Sequence, residues 1–404
     1  MNYEIRYDVG DRKRDSGINE DSVAVSVFED GHREGLVRQP GTEASDAADG
    51  SESADAADAN GPDAADATEP DDDDANEQDD GAEATDAEGG TGAADSTDAP
   101  DNRTATVFAL ADGAGGHDAG DAAAYLATTT VCQHLAATAI GAVRSDPEAF
   151  DVAAGAALDP RPRDDDIEAA VAEAVVAAHR EVLAYAAESG RQAHTTVVAG
   201  VCVDGRLHYG WVGDSRAYLI NGAREEIVPL TSDHAVVERL REAGRIDDVE
   251  ALVHPRGNEI TRALGGSAGA APETATVEVD TATVPIYAED VVLATSDGLV
   301  DAQTEAAKLY EWYVEADRDA ETARIVRDRA VTDGEIRDRV LGADSLSAAA
   351  EDLLALANDR GGKDNLSTLL LHDPSLPATP DEVPPRAVGA EPDVEERQTV
   401  VGGD

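Results

Sequence analysis

The chain contains very little lysine, few aromatic residues and only two cysteines. Lys13, Lys308 and Lys363 are its only lysines among 404 residues, and aromatic side chains make up 3% of the sequence. Cys132 and Cys202 both lie in apolar runs, without the C-x-x-C spacing of a zinc or redox site. We therefore predict two buried thiols and exclude a disulfide scaffold or a zinc ribbon.

Long apolar segments are missing as well. The sequence has no uninterrupted run of about 18 apolar residues, which is the length that a membrane-spanning helix needs. The first six residues, Met-Asn-Tyr-Glu-Ile-Arg, do not show the basic and then apolar pattern of a signal peptide. We therefore expect a cytoplasmic protein with no membrane partner.

Acidic residues are present in large excess. The formal net charge is −55, from 31 Lys and Arg against 86 Asp and Glu. Nucleic acid is excluded as a natural partner, because like charges repel and the chain has no basic stripe. Such an excess costs little where salt screens charges over a few ångströms. The composition therefore indicates a halophilic protein, and we expect a halophilic archaeon as its source.

Two segments have the composition of disordered chain. Residues 41–102 consist mainly of Ala, Asp, Glu, Gly, Ser and Thr, with no Lys or Arg. They cannot bury enough apolar surface to offset the entropy of ordering. From residue 373 the chain is rich in Pro and Glu and predicts a disordered tail to residue 404. We expect one domain over 1–372, interrupted by the insert 41–102.

The remaining sequence alternates between strand-like and helix-like segments. Short runs rich in β-branched residues predict strands, and apolar residues at helical spacing predict helices. Asp204-Gly205 is a signal for a tight hairpin. This pattern predicts an α+β fold with helices outside the sheets. The predicted strands are 22–28, 104–111, 195–204, 206–212, 215–220, 274–279, 291–295 and 366–371, and the predicted helices are 119–142, 166–189, 235–243 and 302–359.

Several aspartates follow or precede buried strands. We expect three apolar strands to run directly into an aspartate, at Asp112, Asp297 and Asp364, and Glu20-Asp21 precedes the first strand. A buried carboxylate is costly unless it is paired or bound to metal. A single Asp-Gly is usually a turn, but several such acids without matching lysines indicate a divalent cation. Oxygen ligands favour Mg²⁺ or Mn²⁺ over zinc.

Taken in order, these motifs resemble those of the metal-dependent protein phosphatases (PPM, type 2C), particularly their prokaryotic branch. The match covers roughly residues 3–372 apart from the insert. Single motifs of this kind are weak, but eight in the right order are specific. They are Asn19-Glu20-Asp21, Ala111–His117, Thr195-Thr196, Val212–Tyr218, Leu230–His234, Asn258–Gly265, Ser296–Leu299 and Asp364-Asn365.

The resemblance implies a fold and a set of residue roles. The fold would be a four-layer α-β-β-α sandwich of two antiparallel sheets flanked by helices. Asp112 would bridge two metal ions, Gly113 would offer its carbonyl to one of them, and Asp297 and Asp364 would bind the other. Glu20 and Asp21 would hold metal-bound waters. Asp214 would belong to a third, weaker metal site.

The sequence departs from the family pattern at three places. Arg14 is our choice for the arginine that contacts the substrate phosphate, although its spacing of seven residues before Asp21 is longer than usual, and Arg12 is the alternative. Ala114 stands where animal members carry a candidate general acid, and His117 occupies a different position, so no general acid is assigned. His194 replaces the usual glycine before the Thr-Thr pair.

The resemblance implies hydrolysis of phosphoserine and phosphothreonine in proteins by a water that two metal ions activate. Positioning and electrostatics dominate phosphoryl transfer, so no protein nucleophile is needed. We expect Mg²⁺ or Mn²⁺ as cofactor, phosphorylated proteins as partners, and a monomer. One alternative is a non-catalytic regulatory or phosphoprotein-binding module on the same fold. A structural acidic or calcium-buffering protein is another, but it leaves the ordered motifs unexplained.

Overall fold

The computed structural model describes residues 1–12, 18–29, 103–113, 119–144, 160–266 and 271–386. The predicted disorder of the insert 41–102 concerns residues outside these ranges. The segments 13–17 and 114–118 and the end of the predicted tail also lie outside them.

Twelve strands form two five-stranded antiparallel sheets and one small ribbon in the described part of the chain. The first sheet has the order β1-β12-β11-β7-β8, the second has the order β10-β6-β5-β3-β2, and β4 pairs with β9. The strands are β1 (Asn2–Asp8), β2 (Asp21–Glu29), β3 (Thr104–Asp112), β4 (Ala193–Thr195), β5 (Val197–Val203), β6 (Arg206–Val212), β7 (Arg216–Asn221), β8 (Glu226–Pro229), β9 (Leu264–Gly266), β10 (Asp280–Pro285), β11 (Asp290–Thr295) and β12 (Leu366–His372).

Eight α-helices accompany the sheets in the part of the chain that the structure describes. They are α1 (Gly120–Val143), α2 (Asp164–Ser189), α3 (Val236–Glu242), α4 (Asp248–Val253), α5 (Ala306–Glu315), α6 (Ala320–Arg329), α7 (Asp333–Gly342) and α8 (Leu346–Arg360). Short 3₁₀ turns span Pro272–Thr274 and Asp297–Leu299.

Local sequence explains where several of these elements begin and end. Helix α2 starts with three aspartates, which favour the positive end of the helix dipole, and Asp166 accepts a hydrogen bond from the backbone N–H of Arg163 at 2.9 Å. It ends at Gly190, whose φ of +70° suits a left-handed cap. The hairpin between β5 and β6 turns at Asp204-Gly205, with φ values of +50° and +70°.

Three apolar layers hold the elements together. One lies between the second sheet and helices α1 and α2, one lies between the two sheets, and one lies between the first sheet and helices α7 and α8. Strand β3 contributes to two layers, because Val107 faces α1 while Phe108 faces the other sheet. The four-layer order that the resemblance implies is thereby confirmed.

Helix α1 is a buried core helix with an unusual composition. By length and apolarity alone its residues Gly120–Val143 could cross a membrane, although the segment contains no unbroken apolar run of that length. In the fold it packs against β2, β3 and α2, and Val131 and Leu135 are fully buried there. The buried face of this helix therefore belongs to the protein core.

The predicted strand at 274–279 is wrong. The chain there forms a 3₁₀ turn followed by irregular structure, and β10 begins at Asp280. The error has a local cause, since Thr-Ala-Thr-Val occurs twice, at 274–277 and at 281–284. Only the second copy pairs with β6, where the Thr281 hydroxyl also donates to Glu168 of α2 at 2.7 Å. Strand β1 was not predicted at all.

The first part of the predicted tail is packed against the domain, which corrects the prediction for residues 373–386. Leu376 contacts the core between the sheets, and the Thr379 hydroxyl donates to Glu289 at 2.7 Å. Arg386 is 5% exposed and forms an ion pair of 2.6 Å with the buried carboxylate of Asp290. A Pro-rich composition excludes regular structure but does not exclude such anchoring contacts.

Candidate metal centre

Two of the predicted acids face each other within the second sheet. Asp21 begins β2 and Asp112 ends β3, and the antiparallel register of these strands pairs the two residues directly. Directly opposite residues in a sheet point to the same face. The pairing therefore brings two carboxyl groups into hydrogen-bond contact, although 91 positions separate them along the chain.

The first sheet delivers two more acids to the same place. Asp297 follows β11 as expected, but Asp364 does not end a strand, because it follows helix α8 and lies two residues before β12. Strands β11 and β12 are antiparallel neighbours, with Thr295 opposite Thr368. The end of one strand therefore lies beside the start of the other. Asp297 forms a side-chain hydrogen bond with Asp112, so the acids of both sheets meet at one end of the sandwich.

Burial and mutual repulsion make this cluster costly as a set of free anions. Burial, followed by the charges of Asp21 and Asp297, raises the pKa of Asp112 well above its ordinary value. Burial and the charges of Asp214 and other acids do the same for the pKa of Asp297. Both residues nevertheless keep partial exposure to solvent.

The cluster has the composition of a site for a hard metal ion, but its carboxyl groups do not surround one common point. Within the described ranges no three Asp, Glu, His or Cys side chains are arranged around one common point in that way. Instead, neighbouring carboxyl groups contact one another, as Asp112 does with Asp21 and Asp297. One oxygen, Oδ1 of Asp21, is buried and has no hydrogen-bond partner. An unpaired buried oxygen beside repelling carboxylates fits a divalent cation.

Asp21 is held from the opposite sheet by two serines. The Ser296 hydroxyl donates to Asp21 Oδ2 at 2.9 Å, and the Ser367 side chain also bonds to this carboxylate. The Ser296 oxygen accepts in turn from the backbone N–H of Ser367 at 2.9 Å. Ser296 directly follows β11 and Ser367 lies in β12, close in sequence to Asp297 and Asp364, so the two serines connect the two halves of the site.

Asp214 reaches the cluster from the turn between β6 and β7. It is 8% exposed, and burial followed by the charge of Asp233 raises its pKa to about 7. The preceding Gly213 has a φ of +112°, and a Cβ at that position would lie 2.6 Å from Cβ of Thr196. Thr196 in turn accepts a hydrogen bond from the Asp112 backbone at 3.0 Å. Only glycine therefore allows the Asp214 turn to pack this close to Asp112.

The remaining predicted residues lie beside the cluster or outside the described ranges. The backbone N–H of Gly113 donates to Glu20 O at 3.1 Å, which places both residues at the Asp21–Asp112 end. The N–H of Glu20 donates to Asn365 Oδ1 at 3.1 Å. Arg14, Ala114 and His117 lie outside the described residues, and Arg12 is described with an exposed side chain.

Sequence reasoning missed one acid of this region, Asp301. Its carboxylate pairs with Lys363, the neighbour of Asp364, and its charge acts on both Asp297 and Asp214. The Lys363 ammonium also donates to Asn258 Oδ1 at 2.9 Å. The only signal in the sequence was the position of Asp301 four residues after Asp297, in the turn that follows β11.

Known proteins of similar sequence are protein phosphatases. The model of the protein phosphatase 2C family matches residues 86–318, which is more than half of the chain. The chain is 29% identical over 268 residues to the serine/threonine phosphatase stp of Listeria innocua, covering 66% of this chain and 83% of that protein. It is 28% identical over 267 residues to the protein phosphatase PhpP of Streptococcus pneumoniae, covering 66% and 85%.

Structural comparison gives the same answer for the fold. The crystal structure of the Mycobacterium tuberculosis serine/threonine phosphatase PstP/Ppp superposes with a TM-score of 0.51 at 22% identity, covering 92% of this chain and 99% of that one. At that identity the likeness shows the fold alone. The matching family model and the ordered motifs carry the assignment: the chain belongs to the protein phosphatase 2C family.

Proposed function

We propose that this protein hydrolyses phosphoserine and phosphothreonine in other proteins, with Asp112, Asp297 and Asp364 holding two divalent cations that activate a water. Family membership makes the chain a protein serine/threonine phosphatase. The observation that carries the proposed mechanism is the meeting of acids from both sheets at one end of the sandwich, where burial and the charges of neighbouring acids raise the pKa values of Asp112 and Asp297.

The residues present fit a pair of divalent cations. All the side-chain donors are carboxylate oxygens, which favours Mg²⁺ or Mn²⁺, and we propose that either ion serves. When bound, such ions act as Lewis acids, lower the pKa of a water and neutralise charge on the phosphoryl oxygens. The protein supplies the rigid strand ends that hold the carboxylates in place.

Each residue of the site has a proposed task. Asp112, at the centre of the cluster, is proposed to contact both cations, with the Gly113 carbonyl beside it. Asp21, whose Oδ1 is buried and lacks a partner, is proposed to orient a water, and Glu20 to orient another. Asp214 is proposed to hold a third and weaker cation.

Substrate binding depends on a positive group near the cations, and we propose Arg14 for the phosphate. A guanidinium group matches a phosphate with two parallel hydrogen bonds. Arg12 is the alternative. Its backbone N–H donates a hydrogen bond to Gly362 O at 3.1 Å, and Gly362 lies three residues before Asn365 of the site. Arg14→Ala and Arg12→Ala, compared on one phosphothreonine peptide, decide between them by which variant raises KM.

The net charge of −55 supports a further proposal, namely that the protein works as a monomer in the cytoplasm of a halophilic organism. Self-repulsion of this size keeps molecules apart and is tolerated best where salt screens it. Retention of structure and activity in molar KCl, with loss at low salt, is the expected result.

The experiment is hydrolysis of p-nitrophenyl phosphate and of a phosphothreonine peptide in molar KCl, with and without Mn²⁺. We expect activity that depends on Mn²⁺ in the wild type and a loss of at least 100-fold in Asp297→Asn. Asp328→Asn, an exposed acid on α6, is the matched control and is expected to behave as wild type. A folded wild type that binds Mn²⁺ without turnover would instead favour a non-catalytic module.

A further inference from the structure

Two residues of the motifs named above have no task in the proposed mechanism. His234 follows Asp233 at the end of the Leu230–His234 motif, and Arg262 lies in the Asn258–Gly265 motif. Both side chains meet at Asp280, the first residue of β10. No sequence motif contains Asp280.

His234 satisfies both backbone polar groups of Gly213. The Gly213 N–H donates to Nδ1 of His234 at 3.0 Å, and the His234 N–H donates to Gly213 O at 2.9 Å. The His234 side chain is buried and stacks on the Trp211 ring, with ring centroids 6.0 Å apart. One histidine, itself packed on Trp211, therefore holds the turn that places Asp214 in the metal centre.

The hydrogen bonds fix the tautomer of this histidine. Because Nδ1 accepts from Gly213, the ring proton of neutral His234 must lie on Nε2. Nε2 then donates to Asp280 Oδ2, which lies 3.0 Å away. Arg262 Nη1 also lies 3.0 Å from Nε2 of His234, but both groups are donors in this tautomer. Arg262 Nη1 therefore donates to the other carboxylate oxygen, Asp280 Oδ1, at 3.0 Å. Both carboxylate oxygens of Asp280 are thus used.

The charge of Asp280 suits this task. Burial alone would raise the pKa of Asp280, but the hydrogen bond from His234 and the positive charge of Arg262 outweigh it and lower that pKa. An ionised carboxylate is the acceptor that best keeps the ring proton on Nε2. The same carboxylate–histidine arrangement orients ligands in metal sites, where its loss costs about 10–100-fold in affinity.

We propose that His234 is a positioning residue that holds Asp214 in the metal centre through the backbone of Gly213, and that Asp280 fixes the tautomer that does so. This inference rests on the proposed role of Asp214 at a weaker cation site. His234 touches neither substrate nor cation. Its effect reaches the site through one acceptor atom, Nδ1.

Two substitutions of His234 separate the acceptor from the rest of the ring. In His234→Asn the side-chain oxygen can replace Nδ1 opposite Gly213 N–H. In His234→Gln the amide reaches toward Asp280 but leaves that N–H without its acceptor. Glu278→Gln is the matched control, since Glu278 bonds Arg262 at 3.1 Å with a side chain that is 76% exposed and away from His234.

The readout is Mn²⁺ binding to the full chain, followed by the electron paramagnetic resonance signal of free Mn²⁺. We expect His234→Gln to weaken the weakest Mn²⁺ site about 10-fold, as Asp214→Asn does, while His234→Asn changes it less than about 3-fold. Glu278→Gln is expected to bind as wild type. Thermal unfolding without metal shows whether each variant is folded. Asp280→Asn should weaken the same Mn²⁺ site, and it tests the inference if His234→Gln does not fold.

The outcomes distinguish this inference from the proposed function. If Asp214→Asn weakens Mn²⁺ binding and the folded His234→Gln and Asp280→Asn variants do not, the positioning role is wrong while the metal centre stands. If Asp214→Asn binds Mn²⁺ as wild type does, Asp214 is no ligand and the inference is overturned with it. Hydrolysis by the wild type is measured separately and bears only on the proposed function.

Discussion

The buried ion pair between Arg386 and Asp290 predicts a strong effect on stability far from the metal centre. Arg386→Ala leaves the carboxylate of Asp290, whose side chain is 1% exposed, without its only charged partner in the described ranges. Loss of one partner of a buried pair costs about 3–5 kcal/mol. Asp290 keeps hydrogen bonds from Asn221 Nδ2 at 2.7 Å and from the Tyr287 N–H at 2.8 Å, so we expect the lower end, about 3 kcal/mol.

Urea unfolding at fixed KCl concentration measures this free energy. At about 2–4 °C per kcal/mol, the melting temperature should fall by roughly 6–12 °C. Arg324→Ala, which breaks an exposed pair with Asp328 on α6, is the control and should cost under about 1 kcal/mol. A loss below about 1 kcal/mol for Arg386→Ala would show that residues 373–386 do not anchor as the structure indicates.

Three further predictions address the site, the pH response and the insert. Gly213→Ala should reduce activity at least 10-fold in a phosphatase assay, because its Cβ would lie 2.6 Å from Thr196; wild-type activity would contradict the packing argument. Burial lowers the pKa of His208, and the charge of Asp164 offsets only part of this effect. The unfolded chain therefore binds a proton on His208 more tightly than the folded chain does, so the free energy of unfolding should fall as pH drops through about 6.5. In His208→Asn, urea titrations should show a weaker dependence of this free energy on pH. Deletion of residues 41–102 should leave activity intact, since loop-closure entropy changes slowly with length, and a folded but inactive deletion variant would refute this.

The acids of the site were predictable from the sequence because each is marked locally. Asp112 and Asp297 follow apolar strands and precede glycine, and Asp364 lies in a short motif before the last strand. The alternation and length of the strands indicated layered α+β structure, and the ordered motifs implied the four layers. Such patterns can be recognised from the sequence because the few residues at a strand end define that end.

The contacts that support those acids were not predictable. His234 and Asp280 are 46 positions apart, and nothing in the sequence around Asp280 marks it as a partner. Arg386 sits in a Pro-rich stretch that resembles a free tail, yet its partner lies 96 positions earlier. The choice between two copies of Thr-Ala-Thr-Val for β10 depends on pairing with β6. Each of these facts is a tertiary contact, which composition and periodicity do not encode.

The central claim is that carboxylates from both sheets meet to hold two divalent cations. Anomalous diffraction at the manganese absorption edge, from crystals grown with Mn²⁺, tests it most directly. We predict two strong peaks within ligand distance of Asp112, with Asp297 and Asp364 coordinating one of them. An ordered crystal soaked in Mn²⁺ that shows no peak among these three aspartates would contradict the account.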